Sequence, residues 1–149
     1  VYKRQGIPDA KTAHLVLVAQ QLRGDPAALA SRLRAELHQL VASLARHDWE
    51  EAATCVRHTA DEPSALVEPD DFSNAMEPFF ADHKKLVFDH RARLAEHTQL
   101  TSAGDNRWQF VQVLIDPSDD NLWCVEGRVD LSDDANVEGP LIVVTRIGT

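Results

Sequence analysis

Three side chains in the second half of the chain are of types that can perform acid–base chemistry. His97, Glu126 and Asp130 supply an imidazole and two carboxylates, groups that transfer protons when they converge in a cavity. Trp108 and Trp123 are candidates to line such a cavity, and these five residues form the candidate site. Glu126 and Asp130 also alternate with apolar residues, which a solvated sheet face with paired charges explains equally well. We favour that structural interpretation and predict no catalytic residue in this chain.

Metal binding is the second chemistry that the residue types suggest. Seven histidines are present, but none has the i, i+4 spacing of a helical zinc pair, and the sequence contains no HExxH motif. The acidic loops 116–121 and 130–138 offer carboxylates to calcium, yet they lack the D-x-D-x-D-G series of an EF-hand loop. Asp and Asn are also favoured in turns for conformational reasons. We predict no metal site and no other cofactor.

The cysteines and tryptophans suggest nucleophilic catalysis and base stacking. Cys55 and Cys124 are far apart in sequence, and neither is placed beside a histidine that would activate it. We interpret both as reduced, buried thiols. Trp49, Trp108 and Trp123 are candidates to stack on nucleic-acid bases, but that mode also needs a positively charged groove. We expect these rings to pack in the core or to line a cavity.

The distribution of charge argues against direct nucleic-acid binding. The formal net charge is −9; residues 1–58 hold 8 Lys and Arg against 6 Asp and Glu, whereas residues 59–149 hold 7 against 18. An acidic surface repels phosphate backbones. The sequence contains no GxxxxGK[ST] phosphate loop and no DEAD or DEAH box, so no residue is assigned to ATP. Without an apolar run of about 20 residues or a signal peptide, we expect a cytoplasmic location.

The first 90 residues show helical periodicity and helix-capping signals. The predicted helices are residues 9–23, 26–46, 49–58 and the segment after Asp70-Asp71. Asp25 before Pro26 is a strong start signal, because aspartate accepts the free N–H groups of the first turn and proline has none to satisfy. The second helix carries one apolar stripe that must face a core, namely Leu29, Leu33, Leu37, Leu40, Val41 and Leu44. Pro78 is expected to kink the fourth helix or to end its regular part.

From about residue 92 the apolar period changes from that of a helix to that of a strand. The predicted strands are a weaker one around 94–101, then 108–115, 122–131 and 141–145. In the third strand the apolar face is formed by Trp123, Val125, Val129 and Leu131. The opposite face is formed by Cys124, Glu126, Arg128 and Asp130. We expect a four-stranded antiparallel meander with one face exposed to water.

Helices followed by such strands predict an α+β fold, in which N-terminal helices pack on a curved four-stranded antiparallel sheet. The order of elements over residues 26–149 resembles the nuclear-transport-factor-two-like (SnoaL-like) fold, which implies a cone-like roll with a cavity. We divide the chain into three segments. Residues 1–5 resemble translated adapter sequence, residues 6–24 form a helical linker or lead-in helix, and residues 25–149 form a single domain.

A second resemblance rests on short motifs spread over the last two thirds of the chain. They are Ala45-Arg46-His47-Asp48-Trp49, Met76-Glu77-Pro78-Phe79-Phe80-Ala81-Asp82-His83, Arg107-Trp108, Gln112, Asp116-Pro117, Asp120-Asn121-Leu122-Trp123, Val129-Asp130-Leu131-Ser132-Asp133 and Val144-Thr145. In this order they resemble the uncharacterised C-terminal domain of bacterial DEAD/DEAH-box helicases. The chain departs from that pattern at Ser118-Asp119, where the family usually has a glycine in the loop.

The resemblance implies a parent polypeptide that hydrolyses ATP and remodels nucleic acid, of which this chain is a piece. We therefore expect a non-catalytic accessory domain that packs on the helicase core or recruits a protein partner, without contacting nucleic acid or membrane itself. The alternative is a stand-alone SnoaL-like pocket protein, which needs an apolar cavity converging on His97, Glu126 or Asp130. A homodimer formed through the outer face of the sheet is a third possibility.

Overall fold

The computed structural model describes residues 9–149, and the interpretation of residues 1–5 lies outside that part of the chain. The helices of this part are α1 (Ala10–Gly24), α2 (Pro26–Ala45), α3 (Trp49–Thr54) and α4 (Pro69–Asp82). The strands are β1 (Thr98–Gly104), β2 (Arg107–Val113), β3 (Cys124–Asp130) and β4 (Val143–Gly148). The predicted α+β fold, with helices N-terminal to an antiparallel sheet, is confirmed.

Aspartate side chains hold the first turns of α1 and α2. Asp9 Oδ1 accepts a hydrogen bond from Thr12 N at 2.7 Å. Asp25 Oδ1 accepts from Ala27 N at 3.1 Å and from Ala28 N at 3.2 Å. The predicted apolar stripe of α2 is buried along its whole length, with exposures of 2% or less at Leu29, Leu33, Leu37, Leu40, Val41 and Leu44. Both helices therefore begin where their capping residues predict, and α2 presents its stripe to the core.

Two helices differ from the sequence prediction in their extent. α3 ends four residues earlier than predicted, because the chain turns away and Arg57 N donates to Ile142 O at 2.7 Å, a bond that a continuing helix excludes. α4 continues past Pro78 to Asp82. Pro78 and Asn74 are both exposed, so water can bond the Asn74 carbonyl that the proline leaves without its helical donor. Among the helices of residues 9–149, none combines the length and apolar character that crossing a membrane requires.

The strands pair in sequence order as an antiparallel meander, β1-β2-β3-β4. Phe110 on β2 lies opposite Gly127 on β3, and a bulge next to Gly127 interrupts the pairing of β3 with β4. A Cβ atom added to Gly127 would lie 2.0 Å from Val143 O and 2.5 Å from Phe110 Cζ. The glycine is therefore required here, because the phenylalanine ring packs directly on its backbone.

The main apolar core joins the helices to the inner face of the sheet, and Val87, Ala92 and Ile115 form a second, smaller cluster. The largest fully buried side chains come from both layers: Phe72, Phe79, Phe110, Leu29, Leu33, Leu37, Leu40, Leu44, Met76, Leu114, Ile115 and Leu131. β3 adds Val125 and Val129 to the same cluster. Burying so much apolar surface from both layers makes each layer depend on the other.

Three arginines from the first half of the chain hold the acidic loop, defined here as residues 131–140. Their hydrogen bonds run to Leu131 O from Arg23 (2.8 Å), to Val137 O and Gly139 O from Arg32 (2.9 and 2.7 Å), and to Asn136 O from Arg57 (3.1 Å). Arg23 also pairs with Asp134 in the same loop. Positive charge from the first half of the chain thus offsets the negative charge that the sequence concentrates after residue 58.

Candidate functional site

The two candidate carboxylates lie on the outer face of the sheet, away from the helices. Along β3, Val125, Gly127 and Val129 are buried, whereas Glu126 and Asp130 are half-buried on the opposite side. Four residues of extended strand separate the two carboxylates, which corresponds to about 13 Å at about 3.3 Å per residue. They are too far apart to act on one small reacting group.

Glu126 is engaged in a cross-strand ion pair. Arg146 Nη1, on the neighbouring strand β4, donates to its carboxylate. Glu126 also lines a surface depression of about 360 Å³, together with Glu62 and Arg128. Arg128 is itself paired, since its Nε lies 3.4 Å from Glu62 Oε1. This arrangement of alternating, paired charges is typical of a solvated sheet face.

Asp130 caps the turn that follows β3. Its Oδ1 accepts hydrogen bonds from the N–H and the hydroxyl of Ser132, and Arg107 Nε lies 3.5 Å from Oδ2. Partial burial by itself raises the pKa of Asp130, but the Ser132 hydrogen bonds and the neighbouring arginines outweigh it and lower the pKa below its ordinary value. A general acid needs the opposite shift, so the environment of Asp130 favours a permanently ionised, structural carboxylate.

The structure separates His97 from both carboxylates. His97 ends the short 3₁₀ turn Ala95–His97 that leads into β1, and its side chain is half-exposed. β1 is an edge strand, so the whole of β2 stands between it and β3. His97, Glu126 and Asp130 are therefore not brought together into one acid–base site.

The two candidate tryptophans belong to the helix-facing side of the sheet. Trp123 meets Phe79 of α4 edge to face, with ring centroids 5.6 Å apart. Trp108 packs against the core cluster and pairs with Val129 across the β2–β3 ladder. Both rings thus support the packing between layers. Phe72, Phe79 and Phe110 are fully buried in the core between the helices and the sheet.

A buried carboxylate that the sequence analysis assigned to a solvated turn organises the loop after β2. Asp116 is 1% exposed, and its carboxylate accepts from the backbone N–H groups of Ser118, Asp120 and Asn121 at 2.9, 3.2 and 2.8 Å. Burial raises the pKa of Asp116, but these hydrogen bonds and the nearby His83 outweigh it and lower the pKa. Because its oxygens are already bonded, Asp116 holds the loop in shape. The Asp-Pro-x-x-Asx pattern was the signal available in the sequence.

Glu36 is a partly buried carboxylate that the sequence analysis did not single out. Glu36 Oε1 accepts from Leu141 N at 2.7 Å and from Ile142 N at 3.2 Å, which anchors the segment before β4. Burial raises the pKa of Glu36, and it also raises the pKa of both cysteine thiols. Cys55 is buried and Cys124 is half-buried, and neither is disulfide-bonded. Thiols with raised pKa are poor nucleophiles at neutral pH.

A surface cleft forms where the start of α3, and the turn that precedes it, meet α4. This aromatic cleft is lined by His47, Trp49, Ser73, Glu77, Phe80 and Ala81 and has a volume of about 420 Å³. The ring centroids of His47 and Phe80 lie 4.2 Å apart, and those of His47 and Trp49 lie 5.4 Å apart. Both sides of the cleft lie within motifs that the sequence analysis identified, but nothing in the one-dimensional pattern indicated that these motifs meet. The aromatic cleft can bind a flat or cationic group by stacking.

Comparison with known proteins gives one family and no curated relative. No curated protein sequence matches the chain. A family model described as "Domain of unknown function (DUF3516)" matches residues 4–147. The match extends the similarity well before Ala45, where the motif resemblance began, and confirms that an uncharacterised domain family is involved. Because the model covers nearly the whole chain, the protein belongs to the DUF3516 family of domains of unknown function.

Proposed function

We propose that this chain is a non-catalytic accessory domain of a DEAD/DEAH-box RNA helicase, acting in the cytoplasm. It packs on the helicase motor of the same polypeptide or recruits a protein partner, and the motor supplies ATP hydrolysis and contact with nucleic acid. Membership of an uncharacterised domain family agrees with this role, and the motif resemblance supplies the helicase context.

One observation carries the proposal: the polar side chains best suited to catalysis are engaged in structural bonds. Glu126 is paired with Arg146, Asp130 caps a turn, and Asp116 is saturated by backbone N–H groups. A carboxylate that must accept or release a proton during a reaction needs a free oxygen facing substrate. The same space that a pocket protein would keep open for ligand is filled here by large apolar side chains. Both features favour a domain that works through its surface.

The test is a deletion in a polypeptide that joins this domain to a helicase motor. We expect removal of residues 9–149 to change the RNA-stimulated ATPase rate or the unwinding rate. We also expect the separately purified 149-residue chain to bind the motor in isothermal titration calorimetry.

A second variant keeps the domain in the polypeptide but disrupts its fold at one position in the sheet. Gly127→Leu adds a side chain whose Cβ atom would lie only 2.0 Å from Val143 O. This variant should reproduce the deletion phenotype if the folded domain is what the motor requires. Unchanged ATPase and unwinding rates after deletion, together with no heat of binding, would contradict the proposal.

A further inference from the structure

His47 adopts a backbone conformation that glycine normally occupies. Its φ is +58°, and it follows the last turn of α2. Asp48 N donates to Ser43 O at 2.9 Å and His47 N donates to Leu44 O at 3.1 Å, the two bonds of a Schellman motif. Glycine fits this position without steric cost, whereas a side chain costs on the order of 1 kcal/mol. A histidine at a position that favours glycine suggests that the imidazole ring has a functional role.

The ring of His47 builds one wall of the aromatic cleft. It stacks on Phe80 at 4.2 Å between centroids, with 31° between the ring planes, and Trp49 stands beside it. Trp49 and Phe80 are half-buried, so part of each ring is in contact with solvent. An open aromatic wall of this kind attracts cations through the negative faces of the rings.

The charge of the cleft is negative and uncompensated. Glu77 lines the cleft and is exposed, and within residues 9–149 its carboxylate has no ion-pair partner inside 4.0 Å. The nearest arginine or lysine in sequence to Trp49 is Arg46, which is already paired with Glu51. The chain as a whole carries a formal charge of −9. A cationic side chain therefore complements both the cleft and the molecule around it.

We propose that the aromatic cleft is a docking site for an arginine side chain in a basic segment of a protein partner. The guanidinium stacks on the rings of Trp49 and Phe80 and donates to the Glu77 carboxylate. Arginine suits this cleft better than lysine, because its flat guanidinium stacks on aromatic rings and donates in a fork to a carboxylate. The inference rests on the proposed function as a protein-docking domain, and it names the surface that does the docking.

The binding test uses the 149-residue chain and two short peptides. The probes are acetyl-Gly-Arg-Gly-amide and the same peptide with citrulline, which keeps the shape of arginine and removes its charge. Titrations followed by ¹⁵N–¹H correlation spectra should move the indole N–H signal of Trp49 and leave those of Trp108 and Trp123 in place. We expect weak, millimolar binding of the arginine peptide and about fivefold weaker binding of the citrulline peptide, as for an exposed cation–π contact with one ion pair.

Variants locate the interaction and separate it from folding. Glu77→Gln should weaken arginine-peptide binding about threefold, since an exposed ion pair is lost. Glu96→Gln makes the same chemical change at an exposed glutamate in the Ala95–His97 turn and should leave binding unchanged. His47→Gly removes the ring at a position where glycine is favoured, so weaker binding without a loss of folded structure would support the ring's role in the cleft.

Three results from the peptide titrations and the variants would overturn the inference. They are equal affinity for the arginine and citrulline peptides, equal effects of Glu77→Gln and Glu96→Gln, and signal changes confined to residues outside the cleft. Preferential binding of a single-stranded uridine oligonucleotide at Trp49 would also overturn it in favour of base stacking. Failure of this inference is distinguishable from failure of the proposed function, because the motor can bind the chain through another surface. In that case, calorimetry would show that Glu77→Gln binds the motor with the same affinity as the wild type.

Discussion

At the scale of single residues, the carboxylates of this domain are distinguished by what their oxygens already bind. Asp116 is buried and bonded to three backbone N–H groups, whereas Glu77 is exposed at the aromatic cleft. Asp130 is partly buried and caps a turn. A buried carboxylate that accepts several hydrogen bonds stabilises the fold. An exposed carboxylate beside aromatic rings is available to a partner.

The buried carboxylate leads to a pH-dependent prediction. The folded-state pKa of Asp116 is below its ordinary value of 3.8, so its ionised form stabilises the fold. That stabilisation is fully present above the unfolded-state pKa and is lost as pH falls through the folded-state pKa. We expect Asp116→Asn to lower the free energy of unfolding by about 1–3 kcal/mol at neutral pH, measured by urea denaturation. Below about pH 4 the difference from the wild type should shrink.

The control for this prediction lies in the same loop. Asp120 is exposed and contributes its backbone N–H, not its carboxylate, to the loop. Asp120→Asn should therefore leave the urea midpoint near that of the wild type at every pH. An equal loss of stability in both variants would indicate that general loop charge, and not the buried hydrogen bonds, is responsible.

At the scale of elements, the acidic loop connects parts of the chain that are distant in sequence. Arg32 of α2 donates to Val137 O and Gly139 O, and it also lies 3.2 Å from the half-buried Glu36. Lys11 of α1 reaches the same loop through an exposed pair with Glu138. An arginine with several partners, of which Val137 O and Glu36 are partly buried, contributes more stability than one exposed ion pair.

This contrast predicts unequal effects of two similar substitutions. Arg32→Met should lower the free energy of unfolding by about 1–3 kcal/mol, because two carbonyls and one carboxylate lose their donor. It should also speed hydrogen exchange at the amides of residues 131–140. Lys11→Met removes a positive charge that pairs with the same loop, but this ion pair is exposed. The urea midpoint of this variant should therefore not differ measurably from that of the wild type. Equal midpoints for the two variants would show that the arginine bonds carry no stability.

At the scale of the whole molecule, the net charge influences which classes of partner this domain is expected to bind. A formal charge of −9 predicts a net repulsion of nucleic acid, although residues 1–58 hold more basic than acidic side chains. Several of those arginines are already committed, since Arg23, Arg32 and Arg57 bond the acidic loop. We therefore expect the domain to bind a basic protein surface in preference to RNA.

A mobility-shift experiment tests this limit. We expect the 149-residue chain at micromolar concentration to leave a labelled single-stranded RNA unshifted at about 0.15 M salt, where the Debye length is about 8 Å. Lowering the salt should not produce a shift, because a net repulsion grows as screening falls. A shift that strengthens steeply at low salt would instead reveal a basic binding surface and contradict the expectation.

The sequence by itself determined the features that depend on near neighbours. Asp25-Pro26 marks the start of α2, the apolar stripe of that helix faces the core, and the alternation in β3 assigns Glu126 to the outer face. These outcomes follow from helix capping and from strand and helix periods, which act within a few residues. The α+β class follows from the order of such elements.

Only the tertiary structure decided which distant residues meet. His47 stacks on Phe80, Arg32 holds the acidic loop, and His97 stands apart from the carboxylates with which it had been grouped. α3 ends early because Arg57 bonds the segment before β4. Such contacts join segments that are tens of residues apart, so they depend on how the layers pack and not on any local pattern. The aromatic cleft exists for that reason, since the packing of α4 against α3 and the turn before it brings the two walls of the cleft together.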